Sequence, residues 1–416
     1  MKRIKIVIST VPVEGECINW TTHKYFETFR INKYLPLGTL SLATNLSDEH
    51  DVVLLDPSSE GWTIKETIKR IESESPDVLG LSVVSRKVYP MMKILQRVNV
   101  PYKVVGGPHA TNYAEQILRF GADAVFRGQL TDLEFNDAMK TLPKGIIDCE
   151  SDINDIKYPN RNLIDVNYYY PKDYRLFKAE NRLSMFSSIG CPNRCTFCNV
   201  QSKKVQYKKP EIVMDEINHL QSVGCKSVHI LDDNFNINKK HLLGILDEMK
   251  KRRYDMEWSG RGQTKMDLSI IPKMTERGFK RIHVGIEALD DDILRFFNKN
   301  ERYKDVQEFC KVMNQNDVEV LGYFILGSPM ETHEYRKNLP DRIKELGITH
   351  PFINILYPEP NTEYYRQLLR EGLYNKDYWR EFMDNPTKDY VLPYPYGKER
   401  QDEVWNDVND IVDEFK

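Results

Sequence analysis

The sequence predicts an α/β protein in two parts: an N-terminal doubly wound, Rossmann-like domain, then a partial (β/α)6 TIM-type barrel with a short C-terminal cap. Three observations carry that expectation. Short β-branched runs alternate with helical periodicity over the first 150 residues. A second strand–helix series opens near Leu183 and contains six units, fewer than the eight of a closed barrel. Between the two series, residues 141–181 are rich in Pro, Asn, Asp and Tyr and lack a clean period, as a linker would.

In the first series the expected strands are Ile4–Ser9, Val52–Asp56, Val78–Val84, Lys103–Gly106 and Ala122–Arg127. Helical periodicity falls on Thr39–Leu46, Ile64–Ser73, Tyr89–Arg97 and Tyr113–Phe120. Continuously apolar strands separated by helices imply a parallel sheet covered on both faces. Such a sheet binds ligands beyond the carboxyl ends of its strands, here the loops after Ser9, Asp56, Val84, Gly106 and Arg127. Gly106-Gly107-Pro108-His109 closes the fourth strand and opens a helix, where bare backbone can approach a bulky ligand. A Gly-Pro turn without a ligand is the competing reading.

The second series places strands at Leu183–Ile189, Ser227–Leu231, Met256–Gly260, Arg281–Ile286, Val318–Leu326 and Phe352–Leu356. Helical segments such as His241–Lys251 and Leu268–Glu276 separate them. A standard barrel needs roughly 250 residues, so a partial barrel with an open side is expected. The expected domains are therefore 1–140, a linker over 141–181, the barrel over 182–372 and a cap over 373–416. The cap is aromatic, with Tyr374, Tyr378, Trp379, Phe382, Tyr390, Tyr394, Tyr396 and Trp405, and reads as a lid that stacks on a ring or is simply packed.

The composition narrows the function. The 416 residues are 40% hydrophobic and 29% charged, enough apolar material for sizeable cores. Fifty-nine basic against 62 acidic residues give a net charge of −3, which disfavours a nucleic-acid binder held by bulk charge. No run of about 18 apolar residues occurs and the N-terminus has no secretory pattern, so a soluble, cytoplasmic protein without a membrane span is expected.

Seven cysteines, an odd number unevenly spaced, argue against a disulfide framework. Cys17, Cys149, Cys225 and Cys310 are isolated and read as small buried hydrophobes. The other three form Cys191-Pro192-Asn193-Arg194-Cys195-Thr196-Phe197-Cys198, directly after the first strand of the second series. Thiolates at C-x3-C-x2-C spacing can reach three corners of one cubic iron–sulfur cluster, leaving the fourth iron open to a ligand. Zinc is the rival occupant, although the nearest histidine in sequence, His219, lies more than 20 residues beyond Cys198.

This loop, with Phe197 before its last cysteine, resembles that of the radical S-adenosylmethionine (SAM) enzymes. The resemblance continues through Leu231-Asp232-Asp233-Asn234-Phe235, Gly285-Ile286-Glu287, the segment Gly322–Thr332, and Tyr357-Pro358-Glu359-Pro360-Asn361-Thr362, where Asn361 replaces the family's usual glycine. It implies a [4Fe–4S] cluster on Cys191, Cys195 and Cys198, with SAM on the unique iron and cleaved to a 5′-deoxyadenosyl radical by an electron from the reduced cluster. It further implies that Glu287 holds the SAM ammonium, that Arg261 pairs with its carboxylate, and that main chain at Phe197, Leu326 and Gly327 cradles the adenine. Asp232 and Asp233 would face ribose or substrate. For Glu287 a solvated carboxylate, for Arg261 a surface arginine, and for the two aspartates a helix cap remain open readings.

The first domain resembles that of the cobalamin-binding radical SAM enzymes, through Pro36-Leu37-Gly38, Leu55-Asp56, the strand over 77–85, Val104–Thr111 and Gly121–Gly128. This implies a corrinoid contacted by Gly106, Gly107, Pro108 and His109, with His109 equally open to a structural role. Two departures stand out: the loop Thr10–Glu16 lacks the D-x-H-x-x-G histidine that ligates cobalt in other corrinoid proteins, and Gly128-Gln129-Leu130 replaces the usual G-E-x-E. The activity implied is C-methylation of an unactivated carbon of a small-molecule substrate, through methylcobalamin and the 5′-deoxyadenosyl radical. An external one-electron reductant such as flavodoxin or ferredoxin would serve it. The alternative is a rearrangement, ring contraction or cyclisation without methyl transfer.

Overall fold

The computed structural model describes residues 3–17, 35–129, 132–150, 152–170, 181–200 and 202–415. Leu130 and the linker stretch 171–180 lie outside the described residues. The chain divides into two compact units, one of residues 1–18, 33–169 and 377–392, the other of 19–32, 170–376 and 393–416.

The first unit is a parallel sheet in the order β2-β1-β3-β4-β5-β6. Its strands are β1 (Lys5–Ser9), β2 (Asp51–Leu55), β3 (Val78–Ser82), β4 (Tyr102–Gly106), β5 (Ala124–Gln129) and β6 (Gly145–Glu150). Ile6, Ile8, Val78, Val104, Ala124 and Phe126 face one core shared with Leu46 and Phe135. The helix Ile64–Ser73 begins where expected because Thr63 and Glu66 form a capping box, a device worth about 1 kcal/mol. The helix after β4 starts at Pro108, five residues before Tyr113; the chain kinks at Tyr113, which hides the helix from periodicity. The sheet has a sixth strand beyond the five expected, inside the stretch read as linker. β6 pairs with β5 from Ala124↔Gly145 to Gln129↔Glu150, so the unit runs past the expected boundary at 140.

The second unit is a parallel sheet in the order β14-β13-β12-β11-β10-β7, the six strands of a partial barrel. They are β7 (Arg182–Met185), β10 (Ser227–Ile230), β11 (Glu257–Gly262), β12 (Phe279–Glu287), β13 (Glu319–Leu326) and β14 (His350–Ile355). The intervening β8 (Ser188–Ile189) and β9 (Gln206–Tyr207) pair antiparallel on either side of the cysteine loop, so the expected first strand over 183–189 is two short ones. Among the described residues, no helix is long and apolar enough to cross a membrane.

The expected cap divides between the units. Asp377–Leu392 belongs to the first, where Tyr390 stacks on Phe382 at 4.6 Å, and Pro393–Lys416 to the second, where Tyr394 packs edge-on against Trp405 at 5.4 Å.

Candidate functional site

The cysteine loop is held from four sides. Asp232, buried at the end of β10, accepts from the Ser187 N–H at 2.7 Å and from the Ser187 and Ser188 hydroxyls at 2.6 Å each. It fixes the chain just before the loop, and the exposed Asp233 accepts from the Gly190 N–H at 3.1 Å. Gly190 has φ +94°, and a Cβ there would stand 2.5 Å from the Lys204 carbonyl oxygen, so glycine is required at the turn into Cys191. Farther along, Thr196 N–H donates to the Phe297 carbonyl and the Thr196 carbonyl accepts from Tyr364 N–H. Phe197 packs edge-to-face on Phe297 at 5.2 Å. Asn193 and Asn234 both donate to the Gln263 side-chain oxygen at 2.9 Å. The two aspartates therefore position the loop.

Cys191 is buried and Cys195 and Cys198 are half-buried. Burial pushes the Cys195 thiol up to about 12, and the other two thiols add to the shift. Three thiolates in this setting need a bound cation to offset desolvation and mutual repulsion. That donor set suits an iron cluster.

Glu287 ends β12 at φ +66°, at a bulge where the β12–β13 register shifts between Gly285 and Glu287. The bulge turns its carboxylate over Gly285, where a Cβ would lie 2.2 Å from Oε1. Burial pushes Glu287 up to about 7, against the opposing pull of Lys299. Lys299 and Glu301 are the residues that sequence reasoning missed. Lys299 Nζ lies 3.7 Å from Glu287, 3.8 Å from Glu301 and donates to the Gly285 carbonyl at 2.9 Å.

At the end of β13, Gly327 has φ +92° and donates its N–H to Glu331 at 2.8 Å, while Ser328 N–H donates to the other Glu331 oxygen at 3.1 Å. The Tyr394 hydroxyl donates to the Gly327 carbonyl at 3.4 Å. Leu326 is buried beside this turn, and Arg261 is exposed at the end of β11. Asn361, where the resemblance calls for glycine, has φ +64°, the left-handed region that asparagine tolerates better than most residues, so the turn is kept.

The first unit carries its own cleft, of about 180 Å³ and open to solvent, where the strand order reverses between β1 and β3. Its lining includes Gly38, Gly80, Gly106, Gly107 and Gly128 with Ile8, Leu42 and Phe135, bare backbone and apolar side chains suited to a flat, bulky ligand. Gly107 has φ +96°, and a Cβ would meet Ser82 Oγ and Val83 N at 2.9 Å. Among the described residues, no histidine lines the cleft. His109 is fully buried away from it, 3.2 Å from the Ser85 hydroxyl and stacked on Tyr113, and burial holds it down at about 4. Gly106 and Gly107 thus reach the cleft, Pro108 begins the helix, and His109 clasps the loop after β3.

The family models fall on the same two features. The radical SAM superfamily model matches residues 185–343 and the B12 binding domain model residues 32–134, together more than half of the chain. The chain belongs to the B12-binding radical SAM enzymes. Its cofactors are a [4Fe–4S] cluster, SAM and cobalamin. This enzyme is 27% identical to an uncharacterised methyltransferase of Pyrococcus horikoshii, over 83% of this chain and 81% of that one. It is 24% identical to the hopanoid C-2 methylase of Rhodopseudomonas palustris, over 86% and 68%. A weaker likeness, 22% over 68% of the chain, is to an anaerobic magnesium-protoporphyrin IX monomethyl ester cyclase of Rubrivivax gelatinosus. The methyltransferase TsrM of Kitasatospora setae, solved with cobalamin and a [4Fe–4S] cluster, shares the fold at TM-score 0.66 and 16% identity, over 89% and 78% of the two chains.

Proposed function

We propose that this enzyme is a C-methyltransferase acting on an unactivated carbon of a small metabolite. The observation that carries the reading is one chain holding both a three-thiol loop after β7 and a glycine-lined cleft at the sheet's switch point. When bound, the cluster with SAM supplies hydrogen-atom abstraction from carbon, and cobalamin supplies methyl transfer.

The chain's own residues bind and orient. Cys191, Cys195 and Cys198 hold the cluster, while Phe197 and Asp233 fix the loop that presents it. Glu287 and Glu301, gathered around the single Lys299, offer carboxylate oxygens that suit the SAM ammonium. Arg261 suits the SAM carboxylate. Glu331 fixes the Leu326–Gly327 turn whose main chain would take the adenine. Gly106 and Gly107 offer backbone to the corrinoid, and Pro108 and His109 hold that backbone in place. A one-electron donor from a reducing, cytoplasmic setting completes the system.

The cyclase likeness keeps a rearrangement without methyl transfer as the second reading. Supplying SAM with a deuterated methyl group and weighing the products separates them. Label in the product, with S-adenosylhomocysteine and 5′-deoxyadenosine both formed, supports methylation; unlabelled product with 5′-deoxyadenosine alone overturns it.

A further inference from the structure

The C-terminal segment of the second unit bonds to both halves of the site. One half is the Gly327–Ser328 turn that ends β13. Glu331 takes its two N–H groups, and its carbonyls accept from the C-terminal segment. Arg400 Nη2 donates to the Ser328 carbonyl at 2.7 Å and to the Glu331 carbonyl at 3.2 Å, while the Tyr394 hydroxyl reaches the Gly327 carbonyl at 3.4 Å. A carbonyl oxygen has two lone pairs, so the Gly327 oxygen can still accept from an adenine amino group. The other half is the cysteine loop. Thr196, between Cys195 and Cys198, accepts at its carbonyl from the Tyr364 N–H at 2.8 Å, and the buried Tyr364 donates its hydroxyl to Tyr396 at 3.1 Å. The Arg400 guanidinium lies 5.9 Å from the centre of the Tyr396 ring, which closes the chain of contacts from loop to turn. Gly397, at φ +85°, turns the chain between Tyr396 and the helix Lys398–Glu414. Fully buried Arg336 anchors that helix farther along, donating from Nε to Asp407 at 2.7 Å. Residues 393–416 lie outside the stretches matched by the two family models, 185–343 and 32–134.

We infer that Arg400, with Tyr394 and Tyr396, forms a clasp of positioning residues for SAM, setting the spacing between the loop that holds the cluster and the turn that takes the adenine. The inference rests on the radical SAM reading of the site. With the amino-acid end of SAM at the loop and its adenine at the turn, the spacing of these two anchors decides where the bond to be broken lies. Each anchor is a strand-end loop, and the clasp ties one to the other through side chains of a single short segment. A misplacement of about 1 Å can cost about a hundredfold in rate, so a fixed spacing is worth holding. Arg400 carries most of the clasp, because a hydrogen bond from a charged donor is about twice as strong as a neutral one.

The test uses the reconstituted holoenzyme with SAM itself as the probe. SAM affinity is measured by equilibrium dialysis, and cleavage as 5′-deoxyadenosine formed with dithionite in the absence of substrate. The electron paramagnetic resonance of the reduced cluster is recorded without and with SAM. Arg400→Gln should bind SAM about tenfold more weakly and need correspondingly more SAM for half-maximal cleavage, while its SAM-free resonance matches that of wild type. Arg400→Lys, which keeps the charge, should recover part of the loss. Tyr394→Phe/Tyr396→Phe, which removes two hydroxyls and keeps both rings, should weaken SAM by about threefold. Lys398→Gln, on the same turn of the helix but paired with exposed Asp402, should leave the affinity unchanged. Wild-type SAM affinity in Arg400→Gln, or equal weakening in Lys398→Gln, overturns the clasp and leaves the radical SAM reading in place. Should Arg400→Gln fail to fold, the double phenylalanine variant decides by the same measurements. A wild type whose reduced cluster shows no response to SAM removes that reading and this inference with it.

Discussion

Lys299 Nζ stands 3.7 Å from Glu287 Oε1, with both side chains about nine-tenths buried, and the same ammonium faces Glu301 at 3.8 Å. Truncating the lysine leaves two buried carboxylates without their cation. Lys299→Met should cost about 3–5 kcal/mol in denaturant unfolding, whereas Glu287→Gln, which keeps the Lys299–Glu301 pair, should cost clearly less. Adding Glu301→Gln to Lys299→Met should restore part of the loss. Equal costs for the two single variants would mean that the lysine serves only one of the acids.

The glycine-lined cleft makes a prediction in which stability and ligand binding part company. Gly38 lies in the helix Leu37–Leu46, lines the cleft, and has open space where a Cβ would go. Gly38→Phe should leave the melting temperature unchanged or slightly raised, because glycine in a helix costs up to about 1 kcal/mol. The ring should nevertheless fill the cleft and abolish retention of cobalamin, read as corrinoid absorption per mole of protein. Full corrinoid loading of Gly38→Phe would remove the cleft from the cofactor's site.

The parts legible in the sequence are those whose signal is local. β1 through β5 are short, mostly apolar and β-branched runs, and the cysteine spacing is its own signature. β6 was hidden because Gly145–Glu150 is short and set among turn residues, and only pairing with β5 makes it a strand. Glu287 is legible as a charge at a strand end. Its partners lie 12 and 14 positions downstream, and nothing local in the sequence links them to it. Gly-Gly-Pro-His pointed to a ligand contact for His109, whereas the fold sends the glycines to the cleft and the imidazole to Ser85.

The three cysteines are expected to fail alike. Replacing Cys191, Cys195 or Cys198 by alanine should eliminate the broad visible absorption of the reconstituted protein and formation of 5′-deoxyadenosine, with little change in the far-ultraviolet circular dichroism. Ala substitution of isolated, fully buried Cys310 should leave both signals in place while lowering stability modestly. Residual nucleoside formation in any of the three loop variants would dissociate the loop from SAM cleavage.

Glu331 offers a pH test away from the thiols. Both oxygens accept backbone N–H groups, from Gly327 and Ser328, yet burial outweighs these bonds and raises the acid from 4.5 to about 7. A carboxyl raised in the fold stabilises it most when protonated. Its contribution is fully present below pH 4.5 and is lost as pH rises through about 7. The shift corresponds to about 3 kcal/mol at most. Glu331→Gln cannot titrate, so wild type should lose stability relative to this variant across that interval, by up to about 3 kcal/mol, with the groups common to both cancelling. Unfolding midpoints of the two proteins measured from pH 4.5 to above 7 check it. A difference that stays constant with pH would mean that Glu331 is ionised throughout, with the two amides and Arg336, 3.9 Å away, outweighing burial.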